Sequence, residues 1–313
     1  MSKYGNNLPQ LNENLFITDG GLETTLIFLQ GFELPDFAAF ILLENDKGIK
    51  ALREYYTSYI SIARDHKLGF ILESPTWRAN SDWGVRLGYT KDTLAEINIK
   101  AIEFLKDLRQ EYETDYTQMV ISGCIGPRGD GYNPSVMMSR DESERYHTTQ
   151  IKTFSEADAD MVSAVTITYS DEAIGITRAA MSVGIPVVIS FTLETDGRLP
   201  SKETLKDAIE KVDEATNNGP VYYMINCAHP NHFKDVFSSN EPWVQRIRGI
   251  RANASTKSHS ELDEADELDD GNPQELGDQY HKLRNVMTNV NVVGGCCGTD
   301  SRHVQAFCSQ LKP

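Results

Sequence analysis

The sequence predicts a single domain folded as a (β/α)8 TIM-type barrel over residues 1–313. Short apolar runs rich in β-branched residues alternate with amphipathic stretches, which is the pattern of β/α units built on a parallel sheet. The alternation occurs eight times along the chain. An open doubly wound sheet usually has about six strands and a glycine fingerprint after the first strand, and no such fingerprint follows the first run here. The pattern therefore favours a closed barrel.

The apolar runs predict the eight strands at 15–18, 69–73, 119–123, 161–167, 186–192, 221–227, 246–251 and 290–294. The amphipathic stretches predict helices at 48–66, 91–111, 142–157, 172–183, 202–216, 273–287 and 301–311. Three of these helices carry start signals. Asp141 with Glu144 is predicted to form a capping pair, and Ser201 and Asp300 are predicted to be N-cap residues.

Two segments interrupt the alternation. Residues 123–139 are rich in Gly, Pro and Asn, which predicts a long loop over the barrel mouth. Residues 255–272 are predicted to be a solvated loop insertion because their acids lack the alternating spacing and central glycine of a calcium loop. The seven acids of this segment are Glu261, Asp263, Glu264, Asp266, Glu267, Asp269 and Asp270.

Charge and composition narrow the class of partner. Lys and Arg total 30 against 46 for Asp and Glu, and the resulting net charge of −16 disfavours nucleic acid and anionic membrane surfaces. The first ten residues lack the pattern of a secretory signal, and no stretch approaches the roughly 20 apolar residues of a membrane span. We therefore expect a cytoplasmic protein that acts on small molecules.

Polar and sulfur-containing residues follow many of the apolar runs. In a barrel the carboxyl ends of all strands share one face, where enzymes of this fold place their active sites. Residues far apart in the sequence are therefore predicted to converge there. They are Asp19, Glu73, Cys124, Thr168, Thr192, Cys227, Cys296 and Cys297.

Three cysteines in this set predict a metal site. Cys296 and Cys297 lie between glycines just after the eighth run, and Cys227 ends the sixth. Adjacent side chains of a strand point to opposite faces, so we expect the glycines to bend the backbone and aim both sulfurs at one ion. Three thiolates with one open position suit zinc. A vicinal disulfide between Cys296 and Cys297, or inert packing of both, is the alternative.

The other candidate ligands are predicted to be structural. Cys124 follows the third run without a partner motif, and Cys308 lies on the last amphipathic stretch as a small hydrophobe. His229 follows Cys227 closely, and we expect it at the surface or behind the metal ligands.

A thiol bound at the open position of the zinc would lose its proton, because the metal lowers the thiol pKa from its ordinary value of about 8.5. A thiolate is a strong nucleophile. Alkyl transfer to sulfur is therefore the predicted reaction class, with no catalytic residue beyond the metal site.

The motifs of this chain resemble those of the homocysteine S-methyltransferase family, over most of the chain. The resemblance is carried by Asp19-Gly20-Gly21-Leu22-Glu23-Thr24, Thr76-Trp77-Arg78-Ala79-Asn80, Asn226-Cys227 and Gly294-Gly295-Cys296-Cys297-Gly298-Thr299. It implies a barrel in which Cys227, Cys296 and Cys297 hold zinc, and homocysteine binds to the zinc through its sulfur.

The resemblance also implies substrate-binding residues. Asp19 matches a family acid near the amino group of the substrate. Thr76 opens the second motif and is assigned to substrate binding with it. Asn226 is expected to orient the ligand region beside Cys227, although hydrogen bonding within its own loop is an equal alternative.

One departure from the family pattern concerns a glutamate near the end of the fourth strand, which helps to hold the amino group of homocysteine. This chain has Val165-Thr166-Ile167-Thr168-Tyr169 there, with no charge. Glu73 stands where the family commonly has Thr or a small residue. Our hypothesis is that Glu73 faces the barrel mouth and contacts the substrate cation instead.

The predicted function is zinc-dependent methyl transfer from a small donor to homocysteine, giving methionine. S-methylmethionine or a similar sulfonium is the favoured donor, because such a compound carries its own leaving group and one barrel suffices. One alternative is an alkyltransferase or demethylase acting on another thiol or thioether. The other is a non-catalytic zinc-binding or redox-sensing protein whose cysteines cycle with oxidation.

Overall fold

The computed structural model describes residues 2–238, 241–265 and 267–311. Eight parallel strands pair in sequence order and close into a barrel, with the last strand paired to the first. This confirms the predicted (β/α)8 barrel. The strands are β1 Phe16–Ile17, β2 Gly69–Glu73, β3 Met119–Ile125, β4 Met161–Ile167, β5 Val187–Thr192, β6 Tyr222–Asn226, β7 Ile247–Ala252 and β8 Val292–Gly295.

Every predicted strand and helix is present, with ends that differ by up to a few residues. None of the described helices has the length and hydrophobicity that crossing a bilayer requires. The α-helices are α1 Leu22–Thr24, α2 Asp46–His66, α3 Ser81–Arg86, α4 Lys91–Tyr112, α5 Arg140–Glu156, α6 Ser170–Val183, α7 Leu205–Thr216, α8 Pro230–Phe233, α9 His259–Asp263, α10 Pro273–Val286 and α11 Ser301–Gln310.

Two of the three predicted helix starts are wrong. The side chain of Ser139, not Asp141, caps α5, and it forms a capping box with Glu142 rather than Glu144. Thr204, not Ser201, caps α7. In both cases a hydroxyl in extended backbone accepts a hydrogen bond from an amide three residues later, which is the geometry that an N-cap requires. The predicted cap of α11 by Asp300 is confirmed.

Alternate strand residues point into the barrel, where they form an apolar lower layer and a polar upper layer. The lower layer packs as one cluster that includes Phe16, Val120, Val188 and Val292. The upper layer lies toward the carboxyl ends of the strands. It contains Glu73, Ser122, Ser163, Ser190, Asn226 and Arg251, all buried. The polar residues are thus placed where barrel enzymes bind ligands.

The amino end of the barrel is covered by the segment that precedes β1. Leu8 packs in the interior cluster. The Asn291 side-chain amide donates to the backbone carbonyls of Gln10, Asn12 and Asn14 at 2.8, 2.8 and 2.9 Å. The Arg248 guanidinium donates to carbonyls of the same segment. These bonds hold the segment against the bottom of the barrel.

The acidic segment 255–272 is not wholly a solvated loop, so that prediction is wrong in part. It contains α9, and its apolar residues Leu262 and Leu268 line the cavity at the barrel mouth. Its acids also make specific contacts: Asp269 accepts a hydrogen bond from Ser255 at 2.7 Å, and Asp270 pairs with Arg302. Asp266 lies outside the described residues.

Candidate active site

A cavity of about 370 Å³ opens at the carboxyl ends of the strands. Its volume falls within the range of about 300–1,000 Å³ that is typical of small-molecule sites. Asp130 and Tyr132 contribute to its wall from the loop after β3, which confirms that this loop covers the barrel mouth. The cavity lining includes most of the residues predicted to converge there, together with Asn226, but not Thr168 or Thr192. Those in the lining are Asp19, Glu73, Cys124, Cys227, Cys296 and Cys297.

Cys227 follows β6 in a left-handed backbone conformation, with φ of 51°. Such a conformation is uncommon for a residue with a side chain. It is held by the backbone: the Cys227 amide donates to the Arg251 carbonyl at 3.1 Å, and its carbonyl accepts from His259 Nε2 at 2.6 Å. The bend lets the chain leave the strand while the cysteine side chain lies in the cavity wall.

Cys296 and Cys297 follow β8 in a turn that is also fixed by hydrogen bonds. The Cys296 amide donates to the Ala252 carbonyl at 2.8 Å, and the Cys297 carbonyl accepts from the Ala254 amide at 3.1 Å. The glycine after the pair, Gly298, supplies the bend, with φ of 78°. A side chain on Gly295 would collide with the Thr299 side chain, so this glycine serves close packing instead.

The sulfur atoms of the three cysteines lie within 4.8 Å of one another. Cys227 and Cys296 are joined as a disulfide, and Cys297 Sγ lies 4.0 Å from Cys227 Sγ. The pairing differs from the vicinal Cys296–Cys297 disulfide that the sequence left open. In reduced form the cluster offers three thiolates from two strands, a donor set that fits a metal ion with one open position.

Tyr132 and His259 contact the cysteine cluster, and sequence reasoning did not identify them. Tyr132 Oη lies 3.5 Å from Cys227 Sγ and 3.8 Å from Cys297 Sγ. Its ring stands against the His259 imidazole with centroids 4.2 Å apart. Both residues come from segments predicted as loops, where a sequence pattern does not show which side chain turns inward.

Asn226 is held by both ends of its amide. Its Oδ1 accepts from the Thr166 amide at 2.9 Å and from Ser190 Oγ at 2.6 Å. Its Nδ2 donates to Thr166 Oγ1 at 2.9 Å and faces Cys296 Sγ at 3.9 Å. The hydrogen bonds of Asn226 thus go to β4 and β5 rather than to its own loop, and its amide points toward a cysteine sulfur. Its role in orienting the ligand region stays a prediction.

Asp19 forms a buried ion pair. Its Oδ1 accepts from Arg251 Nη2 at 2.6 Å, and its Oδ2 accepts from Tyr55 Oη at 3.1 Å. Burial raises the pKa of Asp19, while the Arg251 charge and the Tyr55 hydrogen bond oppose that rise. Arg251 is a site residue that the sequence analysis placed at a strand end without a role. The one signal in the sequence that could have identified Arg251 is its position as a charged residue at the end of a strand.

Glu73 ends β2 and faces the cavity, as hypothesised, with 4% of its surface exposed. Neither carboxylate oxygen makes a hydrogen bond of good geometry to the described residues. Burial raises the pKa of Glu73 to about 7, with Arg251 opposing the rise and Asp19 adding to it. Burial also raises the pKa of Glu23, which lines the same cavity, to about 7.

Thr76 lies outside the cavity lining. It is buried below the surface, and its hydroxyl donates to the Cys124 carbonyl at 2.8 Å. Its assignment to substrate binding stays a prediction. Val165 and Thr166, from the uncharged stretch at the end of β4, also line the cavity.

Of the remaining candidate ligands, Cys124 lines the same cavity, whereas Cys308 and His229 do not. Cys308 is buried on α11, and burial raises the pKa of its thiol to about 12. His229 is buried rather than exposed, and its Nδ1 accepts from the Asn231 amide at 3.2 Å. Burial lowers the pKa of His229 to about 4, so the ring is neutral near neutral pH.

An eight-stranded parallel barrel that gathers three cysteines and buried carboxylates at its mouth has the architecture of a barrel enzyme able to hold a metal ion at its active site. The chain belongs to the homocysteine S-methyltransferase family, whose model matches residues 16–311. Membership confirms the resemblance drawn from the motifs and the predicted class of enzyme, a homocysteine S-methyltransferase-like methyltransferase.

Individual relatives are distant but cover nearly the whole chain. Homocysteine S-methyltransferase 1 of Arabidopsis thaliana is 22% identical over 327 residues, covering 95% of this chain and 93% of that protein. The homocysteine methyltransferase MmuM of Escherichia coli has a similar fold in its metallated form, with a TM-score of 0.74 at 17% identity, over 97% of this chain and 99% of that one. Its oxidized form gives a TM-score of 0.74 at 18% identity, over 97% and 98% of the two chains.

Proposed function

We propose that this protein is a zinc-dependent S-methyltransferase that moves a methyl group from a small donor to the sulfur of homocysteine, giving methionine. S-methylmethionine or a similar sulfonium is the favoured donor. The observation that carries the proposal is the cluster of Cys227, Cys296 and Cys297, with sulfur atoms within 4.8 Å of one another in a cavity of substrate size.

The three cysteines would hold zinc once they are reduced. A metal held by these cysteines would lower the pKa of the homocysteine thiol, which favours its thiolate form at neutral pH. Asn226 orients the cysteine side of the cavity through its contact with Cys296 Sγ. Asp19 and Thr76 are proposed to contribute to substrate binding, Asp19 directly at the cavity wall and Thr76 by supporting the strand beside it.

Methyl transfer to a thiolate requires no further acid or base. The homocysteine thiol first gives its proton to solvent. Its sulfur then forms a bond to the methyl carbon of the donor, and the bond between that carbon and the donor sulfur breaks. The bonding electrons stay with the donor sulfur, which becomes a neutral thioether. A sulfonium donor is suited to this step because its leaving group carries no charge.

The test is product formation under reducing conditions. Reduced, zinc-loaded protein would be incubated with homocysteine and, separately, with S-methylmethionine, S-adenosylmethionine, betaine or methyltetrahydrofolate. We expect methionine with a sulfonium donor and none after chelation of the metal. Absence of methionine with every donor, from protein that holds one zinc per chain, would overturn homocysteine as the acceptor.

Val165 favours a second candidate function, an alkyltransferase or demethylase that acts on another thiol or thioether. Val165 lines the cavity and belongs to the uncharged stretch 165–169, where the family pattern has a glutamate for the homocysteine amino group. A panel of thiols offered with the same donors separates the two functions. Alkylation of a thiol other than homocysteine would support the second candidate.

A further inference from the structure

Glu73 is a buried carboxylate whose hydrogen-bonding capacity is largely unused among the described residues. It is 4% exposed, lies at the end of β2 and faces the cavity. Both Oε1 and Oε2 lack a hydrogen bond of good geometry among the described residues. Buried charges in proteins are normally paired, because an unpaired one bears the full cost of leaving water. A carboxylate of this kind in a cavity wall is therefore a candidate binding group for a cation.

The polar neighbours of Glu73 already make hydrogen bonds to other groups. Arg251 donates to Asp19 Oδ1 at 2.6 Å and to the Gly295 carbonyl at 3.1 Å. The Ser122 and Ser163 hydroxyls bond each other at 2.8 Å, so at most one of their two protons is left for the carboxylate. An ionised carboxylate can accept about four hydrogen bonds. Most of the accepting capacity of Glu73 faces the cavity.

The two strand-end carboxylates, Asp19 and Glu73, are therefore not equivalent. Asp19 already receives hydrogen bonds on both oxygens, from Arg251 and from Tyr55. At the end of β4, Val165 also lines the cavity and supplies no charge. Of these three positions, Glu73 is the one whose carboxylate oxygens can accept further hydrogen bonds.

We propose that Glu73 binds the α-ammonium group of the thiol acceptor, which makes the acceptor an amino thiol. This inference rests on the proposed function, because it places the sulfur of the same molecule at the cysteine cluster. An ammonium group carries three donors and one positive charge, so it can satisfy both oxygens of Glu73 and balance its charge. Glu73 thus takes the place of the acid that β4 lacks.

The test compares two thiols that differ by the ammonium group alone. Homocysteine and 4-mercaptobutyrate would each be titrated calorimetrically into reduced, zinc-loaded protein without a methyl donor, so that a sulfonium cannot contribute. We expect wild type to prefer homocysteine by about ten- to hundredfold, the range for hydrogen bonds to charged groups. Glu73→Gln should abolish that preference and leave 4-mercaptobutyrate binding at least as tight as in wild type.

Glu23→Gln is the matched control, because Glu23 lines the same cavity and its pKa is also raised by burial. It should keep the preference for homocysteine. An unchanged preference in Glu73→Gln would overturn the proposal, as would an equal loss in both variants. If Glu73→Gln does not fold, Glu73→Asp provides the same readout, since withdrawing the carboxylate by one methylene should reduce the preference, and an undiminished preference would overturn the proposal.

Failure of this inference is distinguishable from failure of the proposed function. Wild-type protein that binds both thiols with equal affinity would overturn the role of Glu73 and leave the sulfur site standing. Wild-type protein that binds neither thiol, although it holds zinc, would overturn the proposed function and this inference with it.

Discussion

The cavity has two sides that are built by different means. The sulfur side consists of Cys227, Cys296 and Cys297, whose backbones are held by hydrogen bonds to neighbouring strands. The carboxylate side consists of Asp19, Glu73 and Arg251, whose arrangement depends on side-chain pairing. On the sulfur side the residue types define the chemistry. On the carboxylate side, which groups are paired decides what can bind.

The largest expected effect tests the sulfur side. Cys297→Ser should lose zinc and reduce methyl transfer by at least about a thousandfold, because metal catalysis contributes several kcal/mol to the transition state. Metal analysis and methionine formation measure both losses. Cys308→Ser, on α11 and outside the cluster, is the matched control and should retain zinc. Full activity of Cys297→Ser would show that the sulfur side is not a metal centre.

The next effect concerns the ion pair of the carboxylate side. Arg251→Met should lower the free energy of unfolding by about 3–5 kcal/mol, because it leaves Asp19 buried without its partner. Urea denaturation measures the change. Arg53→Met breaks an exposed pair with Glu111 and should cost less than about 1 kcal/mol. Equal losses in the two variants would mean that burial does not distinguish the pairs.

Glu73 gives a pH-dependent prediction on the same side. The pKa of Glu73 is about 7 in the folded protein against an ordinary value of 4.5. The folded state therefore holds this proton more tightly than the unfolded state, and stability falls as the pH rises from about 4.5 to 7. At pH 8, Glu73→Gln should be more stable than wild type by about 3 kcal/mol.

Urea unfolding at pH 5 is the internal control for this prediction. The gap between Glu73→Gln and wild type should be much smaller there, because Glu73 is largely protonated in the folded protein at that pH. A gap of the same size at pH 5 and pH 8 would contradict a raised pKa and point to a packing effect of the substitution.

The smallest effect returns to the sulfur side. Tyr132→Phe removes a hydroxyl that lies 3.5 Å from Cys227 Sγ and should weaken zinc binding by about fivefold, the value of one hydrogen bond. Competition with a chelator under reductant measures the affinity. Tyr116→Phe, with the Tyr116 side chain 72% exposed, is the control and should bind zinc like wild type. A change far above tenfold would indicate that Tyr132 does more than contact the cysteines.

The barrel was predictable because its pattern is carried by many residues at once. Eight apolar runs and the stretches between them report a repeated fold, and errors of a residue or two at an end do not alter it. The helix caps of α5 and α7 were placed wrongly because several neighbouring residues could each serve as a cap. The hydrogen bond that decides among them depends on the backbone conformation.

The two sides of the cavity also differ in how well the sequence predicts them. Cys227, Cys296 and Cys297 were predictable as a set because a thiolate site requires that residue type at strand ends. The pairing of Asp19 with Arg251 joins residues 232 positions apart and could not be inferred from either one alone. Tyr132 was missed because it lies in a loop without periodicity, where the sequence does not report direction.

The segment before β1 determines from which end of the barrel small molecules can reach the cavity. It covers the amino end of the barrel, where Leu8 packs against the interior cluster and Asn291 ties down the backbone. Among the described residues, this leaves the cavity at the opposite end as the entrance. Both substrates and both products of a methyl transfer would therefore exchange with solvent through the carboxyl end of the barrel.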